Sequence, residues 1–420
     1  MTASETAQPS KPEQSPPAKK SGWEAVLTAT PVVLTVVATI LAGLSTSEMT
    51  LAQYHRSLAA QNQSKASDQW GFFQAKRLRG TAMENAFDLL PPKARPERIE
   101  ADDLEAASRR LMLTLQRAGK EATKFSDAAE AQTKGADGEP VRQETTKLKT
   151  KIQESAQLAS MLDQQLHKEL AKEEMRTAFE YLSVKKLPEV EDDKWENAEI
   201  NHASQAIADR IDEKELDPIL RRILPADLQR AIDTAEKNAR RFEEAGKPVS
   251  KSLDQLGNVV NQQVSIAASF HKAIGLMHNV AANASTPTAD KSSDKSSLDP
   301  QSAFNSLDQS DAAVQAAAED LDHLFKAGRF SYHARRQRRE SDYHLKTAGL
   351  YEIQVRLNSF TSDRHRTRSK LFFFGMLAAQ AGVTIASLSL AVHKRNILWA
   401  LAGLAGLAAV IFSGYVYLYM

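Results

Sequence analysis

Ten histidines, a run of arginines and no cysteine are the residues through which this 420-residue chain could do chemistry. Metal binding would need three or four converging ligands. His333 and His344 stand eleven residues apart, on one helical face but about three turns separated, too far to share an ion. His55 and His365 each lie beside an apolar stretch and are expected to approach each other. Two imidazoles alone fall short of the usual ligand number, so no metal site is expected there. Serine, histidine and aspartate all occur, yet there is no nucleophile elbow, P-loop, zincin motif or kinase motif set to organise them. Zero cysteine excludes disulfides, thiolate metal sites and a cysteine nucleophile. The expectation is therefore a protein without catalytic residues, without a cofactor and without enzyme activity.

Basic chemistry is concentrated late in the chain. Between Phe330 and Lys370, ten basic residues (Arg335, Arg336, Arg338, Arg339, Lys346, Arg356, Arg364, Arg366, Arg368, Lys370) face four acidic ones (Glu340, Asp342, Glu352, Asp363). Ion pairing with acidic neighbours such as Glu191-Asp192-Asp193 is the first expectation. Arg364, Arg366, Arg368 and Lys370 also adjoin an apolar stretch and are expected to reach lipid phosphates. Arg335 to Arg339 begin ~45 Å away along a straight helix and cannot. No motif that reads bases accompanies the charge and the whole chain carries only +1, so nucleic acid is not an expected partner. On a helix, Trp70, Phe73 and Arg77 share a face with Ala59 and Ala66. That face is expected either to pack on the helix returning to the membrane, with Asp68 pairing to one of its arginines, or to receive a partner.

The elements that position these residues begin with three apolar stretches long enough to cross a bilayer, which takes ~20 residues of helix. They are Ala25–Leu44, Leu371–Val392 and Ile397–Leu418. The first exceeds the apolar core of a cleaved signal peptide and is read as a retained anchor. The last two, separated by His393-Lys394-Arg395-Asn396, form a hairpin. No Asp, Lys, Arg or His interrupts the stretches, which speaks against a pump or transporter. Thr28, Thr35 and Thr39, and Gln380, Thr384 and Ser387, are expected at helix contacts. The small residues Ala378, Gly382, Ala386, Ala402 and Gly406 are expected to let the three helices of one chain approach closely. Lys19, Lys20, Lys394 and Arg395 put the N-terminal tail in the cytoplasm, against the opposing count at Arg364 to Lys370, and so put the middle region outside it.

Residues 46–370 read almost wholly as helix. Breaks are expected at Pro91-Pro92, Gly135 to Pro140, Leu187-Pro188, Asp217-Pro218 with Pro225, Gly246 to Pro248, and Ser285 to Pro300. Beyond Gln301 no proline occurs, so a helix can run unbroken into the membrane. Seams with spacings of three and four follow Val141, Thr145, Leu148, Ile152, Ser155, Ala159, Leu162 and Leu166. A second takes in Leu253, Leu256, Val260, Gln263, Ala267, Phe270, Ile274 and Met277, and a third Phe304, Leu307, Asp311, Val314, Ala318, Leu321 and Phe325. Their polar dilution favours antiparallel packing in one bundle over a long parallel dimer.

The segment Lys65-Ala66-Ser67-Asp68-Gln69-Trp70-Gly71-Phe72-Phe73-Gln74-Ala75-Lys76, about 20 residues past the first span, resembles the signature of the bacterial membrane-protein family catalogued as domain-of-unknown-function family 4337. The resemblance extends to the closing hairpin after the Arg- and His-rich segment Arg364 to Lys370. It covers residues 25–90 and 330–420, with the middle reading as a long insertion. It implies architecture and a bacterial membrane location, and no activity.

The expected protein is all-α. It has a disordered polar tail (1–22), a transmembrane helix (23–45), a helical extramembrane domain (46–370) with a mobile loop (285–300), and two more transmembrane helices (371–392, 397–418). Its expected role is a membrane-anchored scaffold or interaction protein of the bacterial inner membrane, in contact with the lipid bilayer and with a second copy or another membrane protein. The alternative is a sensor whose helical domain binds a ligand or partner and moves the helices entering the bilayer.

Overall fold

The computed structural model describes residues 22–95, 99–132, 139–183, 187–190, 193, 197–284, 300–389 and 395–419. The polar tail, Gly135, Glu191, Asp192, the loop 285–299 and His393-Lys394 of the hairpin turn lie outside the described residues. Among the described residues there are nine α-helices and no strand: α1 (Gly22–Asp88), α2 (Ala101–Gln132), α3 (Glu139–Leu170), α4 (Glu173–Ser183), α5 (Ala198–Ala208), α6 (Glu213–Leu220), α7 (Pro225–Ala284), α8 (Pro300–Ser389) and α9 (Arg395–Tyr419). α8, free of internal proline, runs unbroken for 90 residues, as the sequence predicts. The chain divides into two compact units, and α1 and α8 supply residues to both.

The first unit comprises Met1–Ser64, Glu199–Ile223 and Tyr351–Met420. It holds the apolar segments of α1, α8 and α9, the three helices long and apolar enough to cross a membrane. Leu34, Ala38 and Leu41 of α1 are buried against Phe372, Ala379 and Ala386 of α8 and Ala402, Ala409 and Val416 of α9. Small residues set the spacing. A Cβ on Gly382 would meet the Ala402 carbonyl oxygen at 3.2 Å, and one on Gly406 would strike Leu34. The hydroxyls serve differently from the sequence expectation. Thr35, Thr39, Thr384 and Ser387 each donate to the carbonyl four residues back on their own helix, which satisfies the group locally in an apolar setting. Thr30 makes the interhelical bond instead, accepting from Trp399 Nε1 at 3.1 Å. At the end of the apolar segments Ser45 Oγ donates to the Ser369 carbonyl at 3.0 Å and Ser369 Oγ to the Ser45 carbonyl at 2.8 Å. Two residues past the end of α5 stands Arg210, a non-glycine residue at φ 55°. There Ile211 N bonds Ala206 O and Arg210 N bonds Ile207 O, the paired bonds that close a helix C-terminus.

The second unit comprises Lys65–Ala198 and Leu224–Leu350. α3 packs on α2 and α7, and α4 on α7. The pairs Ser108–Asp163 and Asp127–Lys149 make α2 and α3 antiparallel, as Asp254–Arg329 and His271–Asp311 do for α7 and α8. All eight residues of the α7 seam are buried, as are Leu307, Asp311, Val314, Ala318, Leu321 and Phe325 of the α8 seam. Its polar members are bonded across helices. Gln263 Nε2 donates to Ser108 Oγ, which donates to Asp163, both at 2.8 Å; Asp311 lies 2.6 Å from His271 Nδ1.

The expected break at Gly246 to Pro248 does not occur, and α7 passes through both residues. Pro248 removes one backbone donor, but its fixed φ suits a helix, and the close approach of a side chain accounts for the glycine. The Arg336 guanidinium lies against the backbone here, donating from Nη1 to Gly246 O at 3.3 Å and to Ser250 Oγ. A Cβ at Gly246 would stand 2.8 Å from Arg336 Nε. Pro218 likewise sits inside α6, and Pro225 opens α7 as its first residue, where a missing N–H costs nothing.

Candidate functional site

In the first unit the polar chemistry gathers just beyond the apolar segments. Glu48, Ala52 and His55 follow one another at spacings of four and three on α1, facing Asn358, Ser362 and His365 on α8. His365 Nδ1 lies 2.6 Å from Glu48 Oε2, and His55 Nδ1 lies 3.3 Å from Asn358 Oδ1. Ser362 Oγ donates to Ala52 O at 2.8 Å. The two imidazoles stack with centroids 5.6 Å apart and planes 6° from parallel, so the expected approach of His55 to His365 is realised. Among the described residues no group of three His, Cys, Asp or Glu side chains converges on a point that could hold a metal ion.

The basic segment before the second apolar stretch divides by position. Arg364 stands 3.9 Å from Asp217 of α6, and Arg356 stands 4.0 Å from Glu213 and 3.8 Å from Glu352. Arg366 and Lys370 are exposed. Arg368 is half-buried, with its Nε buried and lacking a hydrogen-bond acceptor. Pairing thus occurs with Asp217, Glu213 and Glu352, while Glu191 and Asp192 of the expected run lie outside the described residues. Asp193, the described member of that run, bonds Lys237 and Arg241 of α7, which hold its carboxyl below the ordinary value.

In the second unit the predicted aromatic face is largely outward. Trp70 is 37% exposed, Phe73 half-buried and Arg77 exposed. The three contact one another along α1: the Trp70 and Phe73 rings meet edge-on at 5.5 Å, and the Arg77 guanidinium lies 5.7 Å from the Phe73 centroid. Burial on this helix follows Ala66 and Gly80 instead, because small residues allow α8 to come close. Asp68 is exposed and forms no ion pair among the described residues. The residues that do bridge α1 and α8 here are polar. Lys76 Nζ bonds Glu340 at 2.5 Å, Gln69 lies 2.7 Å from His344 Nδ1, and Glu84 pairs with Arg338 at 2.6 Å.

Glu340 is the centre of a buried network that sequence reasoning missed. It is 3% exposed and takes Lys76 on one oxygen and Arg336 Nε on the other, at 2.6 Å. Around it burial works on neutral and cationic groups alike. The Tyr332 hydroxyl, fully buried and without a hydrogen-bond partner, is pushed up to about 12. His333 is pushed below its ordinary value by burial and then by Arg329 and Arg336, and His344 by burial and then by Lys76. Nearby, Leu187 to Val190, Phe242, Arg339 and Tyr343 line a cavity of about 620 Å³. The Phe242 and Tyr343 rings meet at 5.5 Å, and the exposed Arg339 guanidinium lies 5.1 Å from the Tyr343 centroid. Three distant segments build this cavity, so no local pattern announces it.

This geometry is that of an all-helical protein with three helices long and apolar enough to cross a membrane, its described polar clusters bonded largely within the chain. The chain belongs to the family of the domain of unknown function DUF4337, whose family model matches residues 23–247. The match takes in the first apolar segment, α2 to α6 and the beginning of α7. No curated protein and no solved structure matches the chain.

Proposed function

We propose that the protein is a membrane-anchored helical scaffold that engages a second membrane protein through its helical domain. The carrying observation is the cavity lined by Phe242 and Tyr343: paired aromatic rings beside a guanidinium suit capture of an apolar side chain. The anchor lies in the bacterial inner membrane, with the helical domain outside the cytoplasm and the residues around Lys19 inside it. Since the chain has no cysteine, Lys147→Cys on the exposed face of α3 gives a single label site. An impermeant maleimide should label it in intact cells; labelling only after lysis would reverse the orientation.

Partner engagement is tested by a photo-crosslinking amino acid at Val190 of the full chain in native membranes. The expected product is an adduct with another protein or a second copy, lost in Arg339→Glu with helicity retained. Absence of an adduct, or its persistence in that variant, would remove the scaffold reading. A sensor role draws on a separate observation, the unbroken course of α1 and α8 from apolar segment to polar sequence.

A further inference from the structure

Within the first unit, α1 and α9 leave a groove of about 430 Å³ between their apolar faces. Leu41 and Leu44 form one wall, Val410, Tyr417 and Leu418 the other, and Phe372 of α8 the floor. The reciprocal Ser45–Ser369 bonds fix the level of its mouth, because Leu44 and Phe372 stand within three residues of that pair. Arg368 lies one turn before Phe372, on the same face of α8, and begins only ~1.5 Å beyond Ser369 along the helix. Its Nε is buried within the protein, which leaves the Nη nitrogens of this half-buried side chain to meet an outside acceptor. Arg364, a further turn away, is engaged with Asp217; Lys370 and Arg366 are exposed and project from a different face.

We infer that this groove is a binding site for an anionic phospholipid: an acyl chain lies along Leu41, Leu44, Phe372 and Tyr417, and the phosphodiester accepts hydrogen bonds from Arg368. The apolar walls belong to membrane-crossing segments, so the surrounding solvent is itself lipid and the first candidate occupant is a hydrocarbon chain. The charge at the mouth selects among lipids. A guanidinium offers a planar pair of donors to a phosphate, and a net anionic headgroup gains from it what phosphatidylcholine, with its own quaternary ammonium, does not.

The test is native mass spectrometry of the full-length protein in detergent, titrated with phosphatidylglycerol or with phosphatidylcholine of the same acyl chains. The expected result is about five- to ten-fold better retention of phosphatidylglycerol, the scale of one basic residue against an anionic lipid. Arg368→Gln should bring the two lipids to parity, and Lys370→Gln should leave the preference unchanged. Gly414→Leu, whose side chain enters open space beside the groove, should reduce retention of phosphatidylglycerol with helicity preserved. Equal retention of the two lipids by the unmodified protein, or a preference that survives Arg368→Gln, would overturn the headgroup assignment. Equal loss in Lys370→Gln would reduce it to general surface charge. Retention unaffected by Gly414→Leu, or a dimer lost in that variant in place of lipid, would overturn the groove.

Discussion

Glu340 balances two cations in a place that water scarcely reaches. Burying a carboxylate costs several kcal/mol, and here Lys76 and Arg336 offset that cost by bonding separate oxygens. Glu340→Gln removes the anion and leaves both cations in place. We expect a loss on the order of 3 kcal/mol, read as a lowered denaturation midpoint of the detergent-solubilised protein; a change below about 1 kcal/mol would show the pair to be solvated. The same surroundings make stability depend on pH. His333 and His344 have folded values lowered from 6.5, so the unfolded chain takes up protons that the folded chain refuses. Their contribution is fully present above about pH 6.5 and is lost as the pH falls below it. The protein should therefore melt at a lower temperature at pH 5.5 than at pH 7.5. His333→Asn should narrow that difference, and an unaltered difference would assign it to other groups.

At the scale of helices, Arg210 is the one described non-glycine residue with positive φ, and it closes α5 in a conformation that favours glycine. Arg210 is exposed, so Arg210→Gly removes backbone strain with little else at stake. A gain of about 0.5–1 kcal/mol is expected after allowing for the freer unfolded chain, measured by the same denaturation. Helices whose burial follows a period of three and four were legible: the α7 seam from Leu253 to Met277 is buried at every position, Gln263 included. Local punctuation misled where tertiary contact supplied the reason for a residue. Gly246 read as a break because its role depends on Arg336, 90 residues later. Trp70 could be read either as a packing residue or as part of a partner face, and its ring is 37% exposed while Ala66 on the same helix is buried. The cavity was illegible because Leu187, Phe242 and Tyr343 meet only after folding.

For the molecule as a whole, 54 basic residues stand against 53 acidic ones, and many of the described charges are paired within the chain. General electrostatic attraction to a membrane surface is correspondingly weak, and the features suited to membrane attachment are the three helices long and apolar enough to cross a bilayer. An alkaline carbonate wash should leave the protein in the membrane pellet and detergent should release it; release by carbonate would contradict spanning helices. The reciprocal serine bonds have a further consequence. Ser45 Oγ and Ser369 Oγ stand 3.3 Å apart, so cysteines at these two positions have sulfurs within bonding reach, in a chain with no other thiol to compete. Oxidation of the Ser45→Cys, Ser369→Cys protein should form one intrachain crosslink, detectable by peptide mass mapping. The result is a reversible latch that forbids α1 from sliding along α8. Any activity of this protein can then be sorted at once: one that survives the oxidised latch does not depend on piston motion of these helices, and one that returns only on reduction does.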